Sequence, residues 1–232
     1  MNHHAKKILK EYKTKAGLYK EFTSAVNFLL EDILKKGGYK CYMYSRLKQA
    51  ESLREKIERK LLKGKIYIKL EDIKDIAGVR VIFYTGNDRR KFIGRLQKEF
   101  KNSLKIEKTK KVSGYQAIHA VLYLGKERLK LSEYNAFDGL ECEVQLCLIL
   151  EHAWAEIEHD ILYKENWGFK ELDRVHYLFM KEQMQKIMKN YINKASTELE
   201  RMVLKFKKLK RDNKNSQFQL KNFPGRAKLA QY

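Results

Sequence analysis

Proline is almost missing from this chain. Pro224 is the single example, so nothing upstream of it interrupts a helix by that route, and long helices are free to form. Cysteine is scarce as well: Cys41, Cys142 and Cys147 are an odd number with no CxxC spacing. That implies neither a disulfide framework nor a cysteine zinc site, and leads us to expect a reducing cytoplasm. Long apolar runs are lacking too. The longest stretch without an acidic residue, lysine or arginine is Val112 to Gly125, too short to span a bilayer, and the charged N-terminus MNHHAKKILKEYKTK has no apolar core of a signal peptide. No GxxxxGK[ST] and no GxGxxG occurs, which excludes a P-loop and a dinucleotide fingerprint.

Acidic residues are also few. Fifty Lys and Arg face 29 Asp and Glu, a formal charge of +21, in a chain of 232 residues that is 44% hydrophobic. The length suits one main core. The charge points to a polyanion, either nucleic acid or a phosphorylated small molecule, although lysines on a solvated face need no partner.

Apolar spacing organises the rest. Leu18, Phe22, Val26, Leu29, Leu30, Ile33 and Leu34 mark an amphipathic helix that Gly37-Gly38 stops. KCYMYSRLK, AGVRVIFYT, GYQAIHAVLYL and GLECEVQLC read as strands, separated by helical stretches near Gln49 to Lys63 and Asp88 to Phe100. Ile149 to Tyr163 is helical, and a stripe from Leu172 to Leu209 predicts a long helix packed on the core. The expected domains are a helical region over 1–38, a sheet-containing core over 39–165, the C-terminal helix over 166–210 and a basic flexible tail over 211–232. The class is α+β, with a mixed sheet of about five strands flanked by helices.

Five stretches bear on chemistry. In SRLKQAESLREK, Ser52 and Lys56 share a helix face, apart from Leu53, Ile57 and Leu61, that continues a basic edge from Arg46 and Lys48. A helix N-terminus with such donors suits a triphosphate, and a solvated basic helix is the alternative. In DIAGVRVIFY, alternation sets Arg80 into an apolar strand, where it needs an anion or an aromatic face, with Asp75 just before the strand. In GLECEVQLC, Glu141, Glu143 and Gln145 share a face. If Asp75 and Glu143 converge they could hold a divalent cation between phosphates, or one could deprotonate a hydroxyl; ordinary solvated carboxylates are the alternative. In GYQAIH, Tyr115 and His119 lie about 13 Å apart on one face of a strand. One ring could stack on a base while the other reaches a ribose or phosphate, Lys108, Lys110 and Lys111 adding charge; a core Tyr and His is the alternative. EHAWAEIEHD puts His152, Glu156 and His159 on roughly one helical face without HExxH spacing, which favours supporting hydrogen bonds over metal ligation.

The order of these motifs, SRxKxxxSxxxK, DIAGVR, GYxxxH, ExEVQ and HAWAEIEHDxxYK, resembles the synthetase domain of the RelA/SpoT family in its small single-domain form, over about Tyr39 to Lys164. The resemblance implies a nucleotidyltransferase-like sheet and a pyrophosphokinase that passes the β,γ-diphosphate of ATP to a ribose 3′-hydroxyl. It implies that Arg46 and Arg80 sandwich adenine, that Lys48, Ser52 and Lys56 hold phosphates, and that Asp75 and Glu143 place Mg²⁺, with Glu143 also the base. Tyr115 would stack on the acceptor base beside His119 and Gln145. No room is expected upstream of Tyr39 for the hydrolase domain of the long members.

Guanosine-using members commonly carry Arg-Thr after EVQ-x, where this chain has Cys147 and Leu148. Together with the charge, this leads us to expect the 3′-CCA end of tRNA as acceptor, as in toxin members, with a neutralising antitoxin. GDP or GTP is the alternative acceptor, and a catalytically silent RNA-binding module a further one. The C-terminal helix could also support a homo-oligomer.

Overall fold

The computed structural model describes residues 3–110, 116–163 and 174–221. A mixed sheet of five strands forms its centre: β1 (Cys41–Leu47), β2 (Ala77–Phe83), β3 (Leu104–Lys110), β4 (Gln116–Leu122) and β5 (Cys142–Leu148), in the order β1-β2-β5-β4-β3. Only β2 and β5 run parallel, and the remaining pairs are antiparallel.

One face of the sheet is apolar because every second residue is. Val79, Val81 and Phe83 of β2 and Cys142, Val144 and Leu146 of β5 are buried against α1 (His3–Gly37), whose Ile8, Tyr12, Tyr19, Phe22, Val26 and Leu30 recur at helical spacing. Two further helices close this layer. α2 (Ala50–Leu61) contributes Leu53 and Ile57, and α3 (Gly86–Phe100) contributes Phe92, Leu96 and Phe100. Leu61, expected on the buried side of α2, is exposed because the helix ends there. Thr85 caps α3 by accepting from the Asp88 N–H, which explains why the helix starts where the strand stops. A single-turn α4 (Lys126–Leu129) joins β4 to the loop before β5.

The C-terminal helices depart from expectation. α5 (Ile149–Tyr163) follows β5 directly and packs through Trp154 on Met184 and Met188, with the indole N–H donating to the Met184 carbonyl at 3.1 Å. The single long helix expected next is α6 (Arg174–Ile187), a π turn at Met188–Ile192, and α7 (Asn193–Lys221). Met188 and Ile192, four residues apart, both lie in the cluster around Trp154 of α5. Most of the stripe on α6 and α7, including Leu199, Met202, Phe206 and Leu209, is exposed rather than packed on the core. The helix also continues to Lys221, past the expected start of a flexible tail at 211, because KRDNKNSQFQLK contains neither Pro nor Gly to stop it. Residues 222–232 lie outside the described residues.

Candidate active site

The second face of the sheet is polar at its centre, and strand register decides what meets there. Arg46 pairs with Gly78, Gly78 with Glu143, Arg80 with Gln145, and Gln145 with His119, so side chains from four strands line up across one face. Tyr44, opposite Arg80, joins them. A pocket on this face is lined by Tyr44, Arg46, Asp75, Arg80, Glu143 and Gln145. Gly78 forms part of its floor, where a β-carbon would sit 3.6 Å from the Arg46 Cγ.

Two linked sets of polar contacts occupy the site. In the first, Asp75 receives Lys56 Nζ on Oδ1 at 2.7 Å, and Lys48 Nζ lies 2.9 Å from Oδ2. The three come from the turn before β2, the second turn of α2 and the residue that follows β1. Lys48 is fixed by its backbone, whose N–H donates to the Ile76 carbonyl at 2.9 Å and whose carbonyl accepts from the Tyr12 hydroxyl. Burial pushes the Asp75 carboxyl up, but the two ammoniums more than reverse this and hold it below the ordinary aspartate value.

The second set is a chain. His119 Nδ1 lies 3.1 Å from Glu143 Oε1, the Gln145 amide N–H donates to Glu143 Oε2 at 2.8 Å, and Arg80 Nε donates to Gln145 Oε1 at 2.9 Å. Arg80 then reaches α5, with Nη1 3.3 Å from His152 Nδ1 and in an ion pair with Glu156. Burial raises the Glu143 carboxyl, and the contacts with His119 and Gln145 bring it below the ordinary glutamate value against the opposing charge of Asp75. Burial lowers His152 below 6.5 and the Arg80 charge adds to this, so its ring is neutral at pH 7 and accepts from Arg80.

Of the residues singled out from sequence, Arg46, Lys48, Lys56, Asp75, Arg80, His119, Glu143 and Gln145 converge on this face. Ser52 is exposed one turn before Lys56 on α2. Lys108 is not brought in. It pairs with Ile118 rather than His119, and strand alternation turns it to the other side of the sheet. Lys110 holds the last position of β3, opposite Gln116. Tyr115 and Lys111 lie outside the described residues.

Sequence reasoning passed over Tyr44, whose signal was alternation with Arg46 along β1. His152 and Glu156 were read as supporting hydrogen-bond partners, and they bind Arg80. Among the described residues no group of three or more His, Cys, Asp or Glu gathers as metal ligands. Asp75 and Glu143 are two oxygen donors in one pocket, close enough that the Asp75 charge opposes ionisation of Glu143. That set fits Mg²⁺, which takes one or two carboxylates and completes its shell with water and substrate phosphate.

Residues 45–167 match the region found in RelA / SpoT proteins. The chain is 32% identical over 128 residues to the GTP pyrophosphokinase YwaC of Bacillus subtilis (strain 168), an alignment covering 53% of this chain and 58% of YwaC. Its fold is similar to that of a GTP pyrophosphokinase family protein from Streptococcus pneumoniae, with a TM-score of 0.62 and 20% identity, covering 86% of this chain and 96% of the other. It is also similar to small alarmone synthetase 1 from Bacillus subtilis bound to its product pppGpp, with a TM-score of 0.59 and 18% identity, covering 88% and 98%. No helix among the described residues is long and apolar enough to cross a membrane. A match over more than half of its length places this chain in the RelA/SpoT family.

Proposed function

We propose that the chain is a pyrophosphokinase that moves the β,γ-diphosphate of ATP onto the 3′-hydroxyl of GDP or GTP, making (p)ppGpp. The observation that carries the reaction type is the convergence of Asp75 and Glu143 with Arg46, Arg80, Lys48 and Lys56 on one face of the sheet. Binding of RNA alone needs no paired carboxylates, so a silent RNA-binding module leaves them unexplained. For the acceptor, the 32% identity to a GTP pyrophosphokinase outweighs the earlier expectation of tRNA, which rested on charge and on Cys147-Leu148.

In this reading the bond between the acceptor O3′ and the β-phosphorus forms as the bond from that phosphorus to the oxygen bridging to the α-phosphate breaks, and AMP leaves. Glu143, ionised and half-buried, accepts the 3′-hydroxyl proton. Arg46, Arg80 and the exposed ring of Tyr44 supply a cationic and aromatic surface for adenine, while Lys48 and Lys56 take the phosphates. Mg²⁺ held by Asp75 and Glu143 supplies charge neutralisation on the transferring group. The protein's contribution is alignment and positive charge, since phosphoryl transfer asks little covalent work of it.

The test is incubation of the full chain with γ-labelled ATP and GDP, GTP or deacylated tRNA in separate reactions. Label in guanosine tetra- or pentaphosphate is expected. Label in tRNA alone would transfer the reading to the RNA acceptor, which the charge of +21 would then serve.

A further inference from the structure

Each carboxylate of the pocket is already fully engaged by the protein. Both Asp75 oxygens face an ammonium, Lys56 at 2.7 Å and Lys48 at 2.9 Å, and both Glu143 oxygens face a donor, His119 at 3.1 Å and the Gln145 amide at 2.8 Å. The lysines are not casual surface partners. Both are largely buried, and Lys48 is pinned at its backbone from two sides.

This arrangement opposes a free divalent cation. Two ammoniums and two carboxylates cancel, so a cation entering alone would add two charges beside Lys48 and Lys56 and would have to displace one of them from Asp75. Two carboxylates also leave most of an octahedral shell unfilled, and among the described residues no group of three His, Cys, Asp or Glu is placed to hold a metal, the nearby His119 being turned to Glu143. A nucleoside triphosphate reverses both difficulties. Its phosphate oxygens give the ammoniums a stronger anion to bind, and they supply the missing ligands.

We propose that Lys48 and Lys56 act in the free protein as counter-ions that close Asp75 to a free divalent cation. A nucleoside triphosphate opens it by drawing both ammoniums onto its phosphates, so cation and nucleotide enter as one cooperative unit. The inference rests on the donor role proposed above for this pocket. By linkage, the nucleotide tightens the cation by the same factor as the cation tightens the nucleotide.

The experiment uses Mn²⁺ as the probe, followed by water-proton relaxation, on the full chain with and without AMPCPP. Wild type is expected to bind Mn²⁺ alone weakly and, with the analogue, tighter by roughly 5–150-fold. Lys48→Gln and Lys56→Gln, each confirmed as folded by circular dichroism, are expected to bind Mn²⁺ alone about fivefold or more tighter than wild type, with reduced coupling. Adding Asp75→Asn to Lys56→Gln should abolish that gain. Equal wild-type affinity with and without analogue, or lysine variants no tighter than wild type, would overturn the proposal. Failure of the analogue to bind in any arm would instead remove the donor-site reading, while the comparison of variants with Mn²⁺ alone would still decide the counter-ion role.

Discussion

His119 and Glu143 stand on adjacent antiparallel strands with Nδ1 3.1 Å from Oε1, although their backbones are not directly opposed: His119 pairs with Gln145 and Glu143 with Val121. The contact is diagonal, and it fixes the carboxylate proposed as base.

The first prediction concerns that base. The Glu143 carboxyl is held below its ordinary value of 4.5, so it is ionised at neutral pH and is protonated only as pH falls through its lowered value. Its contribution to stability has the same sign, present above the unfolded value and lost in acid. Burial alone would raise it, and His119 is the leading influence in the other direction. His119→Asn should therefore shift the acid limb of kcat/KM for diphosphate transfer to higher pH. Glu143→Gln should remove the transfer at every pH. An acid limb that stays in place in His119→Asn would show that this pairing does not set the base.

Arg80 supplies the second. Its guanidinium bonds Gln145 through Nε and faces His152 and Glu156 through Nη1, a forked arrangement that an ammonium cannot copy. Arg80→Lys should raise the KM for ATP by about tenfold or more, which corresponds to about 1.4 kcal/mol, without loss of the fold. Glu156→Gln should raise KM by less and leave kcat nearly unchanged, because Glu156 acts through Arg80. The neutral form of His152 accepts from Arg80, and its lowered pKa means that this support persists near neutrality and fails as pH falls through it. ATP affinity measured against pH should fall in acid in wild type and lose part of that dependence in His152→Gln.

The third is about stability. Arg89 Nη1 lies 2.7 Å from Glu151 Oε2, which also accepts the Leu148 N–H at 3.1 Å, so one buried carboxylate ties α3 to the start of α5. Glu151→Ala leaves a buried guanidinium without its anion and should cost roughly 3–5 kcal/mol in urea unfolding. Replacing both partners by apolar residues should cost less than the single change. A single change within 0.5 kcal/mol of wild type would show that water compensates for the lost pair.

Much of this was legible in the sequence because burial writes itself as periodicity. GLECEVQLC alternates, and AGVRVIFYT sets one arginine among apolar residues, so β2 and β5 and the polar face carrying Arg80, Glu143 and Gln145 could be read directly. The strand β3 could not. KIEKTKK reads as a charged run, and its lysines are those of an edge strand whose outer side needs no apolar partner. The site role given to Lys108 failed for the same reason, since without a register there was no way to know which face it took. Lys48, Lys56 and Asp75 were each singled out, but their mutual pairing depends on tertiary distance that no spacing encodes. The C-terminal stripe misled because apolar spacing shows that a helix has an apolar face, not that the chain itself covers it.

That stripe gives the fourth prediction. α7 touches the rest of the chain through charged pairs, Glu200 with Arg90 at 2.6 Å and Lys207 with Asp88 at 3.6 Å, while Met202 and Phe206 are 63% and 64% exposed. An exposed apolar side chain has little folding energy to lose, so Met202→Gln and Phe206→Gln should shift urea unfolding by no more than about 0.5 kcal/mol. Met188, fully buried where the π turn packs on α5, is the contrast, and Met188→Ala should cost about 2–5 kcal/mol. Measuring both at two protein concentrations separates folding from association. If Phe206→Gln destabilises by 2 kcal/mol or more and the loss grows with concentration, the stripe is covered by another copy of the chain. If the loss is equally large and independent of concentration, α7 packs inward in solution as the apolar spacing first suggested.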